Sequence, residues 1–141
     1  MTETIKTRHL EQINCLVVDD DKFARNFIKT ALFQIGMKSI KEASSAAEAE
    51  EIIKLGQIHI IFTDQQMPEK TGLEMISGLL AEDATFTNRI PVIMITSDTR
   101  EATVLKAKEL HIREYIIKPV STGLLKKRVY SILNIEETKR D

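Results

Sequence analysis

Three consecutive aspartates, Asp19, Asp20 and Asp21, follow the apolar run at 15–18. A fourth, Asp64, ends the run at 58–63. Thr96 and Ser97 end the run at 92–95, and Lys118, followed by Pro119, ends the run at 115–117. These are groups that can hold a divalent cation and a phosphoryl group. Hard cations take oxygen ligands, and Mg²⁺ keeps waters while accepting one or two carboxylates plus a phosphate. A carboxylate that attacks phosphorus gives a mixed acyl phosphate. A threonine hydroxyl can donate to a phosphoryl oxygen, and a lysine pairs with one as a point charge.

The chemistry requires that the four clusters meet. Short runs rich in Val and Ile, without polar alternation, read as strands buried on both faces, as in parallel sheets. Ligands of open α/β sheets bind outside the carboxyl ends of the strands, so all four clusters should lie on one rim. Helical spacing fills the intervals. Phe23, Ala24, Phe27, Ile28, Ala31, Leu32 and Ile35 mark a first helix, with Asp21 as its N-cap and Gly36 as its stop. Residues 38–43 form a weak second strand, and Ser45 caps a helix running to Leu55. Leu73, Ile76, Leu79 and Leu80 mark a third helix, residues 82–89 a polar loop, residues 101–110 a fourth helix, and Ser121 opens a last one ending near Leu133. Strands alternating with helices imply parallel βαβ crossovers.

Each residue also has a plainer reading. Asp64 could cap a turn after a strand, Thr96 could be a strand threonine, Lys118 a surface lysine, and Tyr115 a half-buried strand aromatic. His9, His59 and His111 have no ligand spacing. What favours chemistry is the co-occurrence of the four clusters at the ends of four of the five strands.

This constellation resembles the receiver domain of two-component response regulators, and specifically its single-domain, chemotaxis-regulator-like members. The segment Asp64-Gln65-Gln66-Met67-Pro68 with Gly72 matches that family's acceptor signature. The resemblance covers roughly residues 13–134, taken as the receiver domain, with 1–12 and 135–141 as flexible ends. It implies an α/β, flavodoxin-like (βα)5 three-layer sandwich with a five-stranded parallel sheet in the order 2-1-3-4-5. It implies that Asp64 accepts a phosphoryl group from a sensor histidine kinase or histidine phosphotransfer protein. Mg²⁺ would be held by Asp20 and Asp64 directly, by Asp19 through water, and by the backbone carbonyl of Gln66. Thr96 and Lys118 would assist transfer, with Thr96 and Tyr115 as switch residues. The face formed by helix 4, strand 5 and helix 5 would then control a downstream effector protein, with Leu105, Tyr115, Val120 and Lys126 as contacts. Such a chain is not an enzyme in the ordinary sense, although it assists its own aspartyl phosphorylation and dephosphorylation.

Departures from the pattern are local. Gln66 and Ser97 occupy positions that in this family flank the phosphoryl group and influence its lifetime. His111-Ile112 replaces a common small pair, and a His can adopt the left-handed conformation such a turn needs. One rival is a haloacid-dehalogenase-type phosphatase with Asp19 as nucleophile and Asp21 as its partner. Phe23 stands where that family has Thr or Val, and no acidic pair follows a late strand. A flavodoxin-like electron carrier would need a hydroxyl- and Gly-rich loop where three aspartates stand.

Composition sets outer limits. The 141 residues suit one domain with a substantial core. A net charge of −1 gives no electrostatic reason to expect nucleic-acid binding, and the single Cys15 excludes an intrachain disulfide. No apolar stretch approaches the roughly 20 residues of a transmembrane helix, so a cytoplasmic location and no membrane insertion are expected. The expectation is a stand-alone receiver; a receiver fragment of a larger regulator is the alternative.

Overall fold

The computed structural model describes residues 5–136, with side chains from residue 9 to residue 135. In chain order the elements are β1 (Ile5–Lys6), a 3₁₀ helix (Thr7–Gln12), β2 (Asn14–Val18), α1 (Lys22–Gln34), β3 (Ser39–Ala43), α2 (Ala46–Lys54), β4 (Ile60–Thr63), α3 (Gly72–Glu82), α4 (Phe86–Arg89), β5 (Val92–Thr96), α5 (Glu101–Glu109), β6 (Glu114–Ile117), α6 (Thr122–Ile132) and β7 (Ile135–Glu136). The five strands expected from the sequence are β2, β3, β4, β5 and β6. They pair in parallel in the order β3-β2-β4-β5-β6, which is the expected 2-1-3-4-5.

Two cores lie on opposite faces of this sheet. Cys15, Val17, Phe62 and Ile93 pack with Ile28 and Leu32 of α1 and Val129 of α6. Leu16, Val18, Ile61 and Met94 pack with Ala49 of α2, Ile76 of α3 and Ala107 of α5. Successive residues of β2 thus serve different cores, and this is why its sequence shows no polar alternation. Cys15 is fully buried, and desolvation raises its thiol pKa to about 12. It is a packing residue.

Side chains close the helix ends as expected. Asp21 accepts the N–H of Phe23, Ser45 that of Glu48, and Ser121 that of Leu124. Gly36, at φ +107°, ends α1 with Met37 N–H donating to the Leu32 carbonyl. His111 takes φ +60° in the turn before β6.

Three expectations need revision. Phe23 and Phe27 carry the helical spacing but face outward, Phe23 being 86% exposed. The core stripe of α1 is narrower, centred on Ile28, Ala31 and Leu32. The stretch 82–89 is not all loop: it holds α4, in which Phe86 is buried and anchors a turn too short to show a period. Finally, the segments beside the domain are tied down where described. β1 pairs in parallel with β7, and Leu10 and Ile135 join the α1–α6 core. Residues 1–4 and 137–141 lie outside the described residues.

Candidate functional site

At the end of β2 the chain turns sharply. Asp19 is buried, its backbone N–H donating to the Ala43 carbonyl of β3, while Asp20 is exposed. Arg25, one turn into α1, donates Nη1–H to the Asp19 carbonyl at 2.7 Å and pairs through Nε with Glu42 of β3 at 3.0 Å. Lys29 joins the same carboxylate. Nothing in the sequence pattern signals this brace, because Glu42 lies on a neighbouring strand.

β4 delivers Asp64 beside them. Its Oδ1 accepts the backbone N–H groups of Gln65 at 2.6 Å and Gln66 at 3.3 Å. The loop that follows is fastened by Gln65, whose side-chain oxygen accepts the Leu73 N–H at the start of α3. Thr71 and Glu74 cap that helix reciprocally, a pairing readable in the Thr-x-x-Glu spacing. Gly72 explains the glycine of the acceptor signature: a Cβ there would lie 2.3 Å from the Asp64 carbonyl oxygen and 3.1 Å from the Met94 methyl. Gly72→Ala is therefore expected to displace the Asp64 backbone, destabilising the protein by about 2 kcal/mol in urea titrations and slowing phosphorylation.

Lys118 comes from the end of β6, before a cis Lys118–Pro119 bond. Its Nζ donates to Asp19 Oδ2 at 2.9 Å and to Asp64 Oδ2 at 3.0 Å. Burial lowers the Lys118 pKa, but the hydrogen bonds and negative charges of the two carboxylates together outweigh it, so its value is raised and the ammonium persists. Burial likewise dominates at Asp19 and raises its pKa, against the hydrogen bonds from Lys118 and the Asp21 N–H. Ligand oxygens of Asp19, Asp20 and Asp64 lie within 4.8 Å of one another. With all three ionised and Lys118 protonated, the cluster retains two negative charges, the charge a divalent cation would balance.

Thr96 ends β5 fully buried, its Oγ1 accepting the Asp98 N–H at 3.2 Å. Tyr115 is half-buried, its hydroxyl donating to the Asp98 carbonyl at 2.5 Å. Gln66 reaches across from the acceptor loop, Nε2 donating to Asp98 Oδ2 at 3.0 Å. Asp98 is the site residue the sequence reading missed. Its partners sit on separate loops, and a polar residue in a loop carries no periodic signal.

The residues expected at the rim thus arrive there from four strand ends, Asp19, Asp20, Asp64 and Lys118 in one cluster and Thr96, Tyr115 and Gln66 around Asp98. Of the expected effector contacts, Leu105 is exposed, but Val120 is buried in the α1–α6 core and is not available. Lys126 sits over the Tyr130 ring.

A doubly wound sheet with an acidic cluster and a lysine at its strand ends has the groups to hold a divalent cation and a phosphoryl group. The response regulator receiver domain model matches residues 15–130, and the chain belongs to that family. It is 33% identical over 119 residues to the chemotaxis protein CheY homolog of Campylobacter jejuni, covering 84% of this chain and 90% of that one. It is 32% identical over 123 residues to chemotaxis protein CheY1 of Helicobacter pylori, covering 86% and 98%. CheY in the CheX–CheY–BeF3–Mg²⁺ complex of Borrelia burgdorferi superposes with a TM-score of 0.76 at 26% identity, covering 85% of this chain and 88% of that one. The protein is accordingly a phosphoacceptor response regulator of two-component signalling, and the phosphatase alternative is not favoured. Among the described residues no helix is long and apolar enough to cross a membrane.

Proposed function

We propose that Asp64 is the phosphoacceptor of this chain. The observation that carries the reading is the Lys118 ammonium bridging Asp64 and Asp19, with Asp20 in the same cluster. Asp64 Oδ2 attacks phosphorus; the bond to the donor imidazole nitrogen breaks, and that nitrogen leaves with its electron pair. The acyl phosphate keeps an oxygen beside Lys118, which needs no movement to pair with it. Asp20, Asp64 and the Gln66 backbone carbonyl would hold a Mg²⁺ ion directly and Asp19 through water, and the bound ion would supply charge neutralisation for the phosphoryl oxygens. The donor is a sensor histidine kinase or histidine phosphotransfer protein, and the setting is the cytoplasm. Residues 13–134 are the receiver unit.

Phosphorylation adds roughly −1.5 to −2 of charge, and the Thr96 hydroxyl, which accepts the Asp98 N–H, keeps its own O–H to donate once it is drawn toward the phosphoryl group. Because the Asp98 N–H is bonded to that same oxygen, drawing Thr96 inward pulls on the loop whose Asp98 carbonyl holds the Tyr115 hydroxyl. The effect reaches α5, β6 and α6, with exposed Leu105 among the candidate contacts of an effector protein. The switch biases a pre-existing equilibrium, so a few kcal/mol of preference suffices. The test is amide NMR of wild type and Thr96→Ala, each with Mg²⁺, with and without beryllofluoride. Wild type should shift at the acceptor loop and across residues 97–130; Thr96→Ala should shift at the acceptor loop alone. An unresponsive wild type would sink the acceptor reading, and equal responses in 97–130 would remove Thr96 from the switch.

A further inference from the structure

Asp20 is the exposed acid of the cluster, and among the described residues no hydrogen bond or ion pair claims its carboxylate. No partner aims this side chain, so its direction is set by the backbone that carries it. The peptide joining Asp19 to Asp20 is held by its oxygen, which accepts Arg25 Nη1–H at 2.7 Å. Asp19 is fixed on its other side by its own N–H, given to the Ala43 carbonyl at 3.1 Å. The Arg25 guanidinium is in turn fixed from behind, Nε donating to Glu42 Oε1 at 3.0 Å, and its side chain is only 13% exposed. Lys29, one turn further along α1, holds the other Glu42 oxygen. The hydrogen bonds from Lys29 and Arg25 draw the Glu42 pKa down, so the acid stays ionised and remains an acceptor. Contacts therefore run from the edge strand β3, through a guanidinium, to the peptide that carries the one uncommitted carboxylate.

Charge and geometry make opposite demands here. Two cations, Arg25 and Lys29, against the single anion Glu42 leave one net positive charge beside the acid pair. A positive charge repels a metal cation, so on charge alone the loss of Arg25 would tighten Mg²⁺ binding. Geometry works the other way. A guanidinium is a planar fork that donates in two directions at once, and without it the Asp19–Asp20 peptide is free to turn. Resting on the reading of the acidic cluster as a Mg²⁺ site, we propose that Arg25, fixed by Glu42, is a positioning residue for the metal. It holds the Asp19–Asp20 peptide and so keeps the Asp20 carboxylate in the space it shares with Asp19 and Asp64, where the ligand oxygens lie within 4.8 Å of one another.

The experiment titrates Mg²⁺ alone into the full chain, as wild type, Arg25→Met, Glu42→Ala and the double variant, and follows the amide resonances by NMR. Met keeps the unbranched stem of Arg25 and removes its donors and its charge. Arg25→Met is expected to weaken Mg²⁺ binding about tenfold, the low end of the range for groups that orient metal ligands. Glu42→Ala should weaken it by less, and the double variant should bind as Arg25→Met does, because Glu42 acts through Arg25. Affinity in Arg25→Met equal to or tighter than wild type would overturn the proposal, and so would losses that multiply in the double variant. A second readout needs no metal: the Asp20 amide nitrogen, in the peptide whose oxygen Arg25 holds, should move upfield in both single variants. If Arg25→Met does not fold, Glu42→Ala decides, and an Asp20 nitrogen at its wild-type position there would overturn the proposal. A wild type that binds no Mg²⁺ would count against the acidic cluster as a metal site, leaving the Asp20 nitrogen to decide whether Arg25 holds the peptide.

Discussion

Asp64→Asn is expected to take no phosphoryl group from acetyl phosphate and Mg²⁺, whereas Asp19→Asn should still label, more slowly. The substitution keeps the shape of the side chain and removes its charge. The amide can occupy the same site and still accept the Gln65 and Gln66 N–H groups through its oxygen, but a neutral carboxamide is a poor nucleophile toward phosphorus. Labelling should fall by about a thousandfold or more, equivalent to roughly 4 kcal/mol of barrier. Asp19 Oδ1 accepts the Asp21 N–H at 2.9 Å and Oδ2 the Lys118 ammonium. Both carboxylates have both oxygens engaged, and what separates them is access: Asp19 is 1% exposed and Asp64 7%, so an incoming phosphoryl group reaches Asp64 more readily. Mass spectrometry of the two variants separates the cases. Full labelling of Asp64→Asn together with loss in Asp19→Asn would move the nucleophile to Asp19.

The legible part of this molecule is the part governed by repetition. β2, β4 and β5 are buried on both faces, so four or five apolar residues in a row announce them, and the rim follows because a parallel sheet puts every carboxyl end on one side. Caps at Asp21, Ser45 and Ser121 were readable because capping is local. β3 was faint for a physical reason: it is an edge strand, and Lys41 and Glu42 are at liberty to be polar. The two-residue partners β1 and β7 and the four-residue α4 are shorter than any period, and only buried Leu10, Ile135 and Phe86 betray them. Phe23 and Phe27 misled in the other direction. Helical spacing shows that residues share a face of α1, but which part of that face meets the sheet is settled by packing around Ile28 and Leu32. Within the site, strand ends were predictable and loop-to-loop bonds were not. Asp98 owes its importance to Gln66 from one loop and Arg100 from its own, a meeting that exists only once the sheet has formed.

Excess EDTA is expected to abolish phosphorylation, and Asp20→Ala to weaken Mg²⁺ binding by about tenfold or more. The argument is electrostatic. Three carboxylates share a space of 4.8 Å with one ammonium. At such separations a like-charge pair costs about 3 to 4 kcal/mol at an effective dielectric near 20. A phosphoryl group adds its own negative charge to the same place, and Lys118 is already shared between two acids. Transfer therefore needs a further positive charge. The three acids are not equivalent in supplying ligands. Asp19 is committed to Lys118 and to the Asp21 N–H, and Asp64 to Lys118 and two loop N–H groups. Asp20 is exposed, and among the described residues no hydrogen bond or ion pair claims its carboxylate. It is the carboxylate that would bind a cation without giving up another partner, so its loss would have no internal compensation. Asp19→Ala would behave differently, because it also releases Lys118. Calorimetric or NMR titration with Mg²⁺ ranks the variants, and mass spectrometry reads the labelling. Equal labelling with and without EDTA would strip the acidic cluster of a metal role, and wild-type Mg²⁺ affinity in Asp20→Ala would remove Asp20 as a direct ligand.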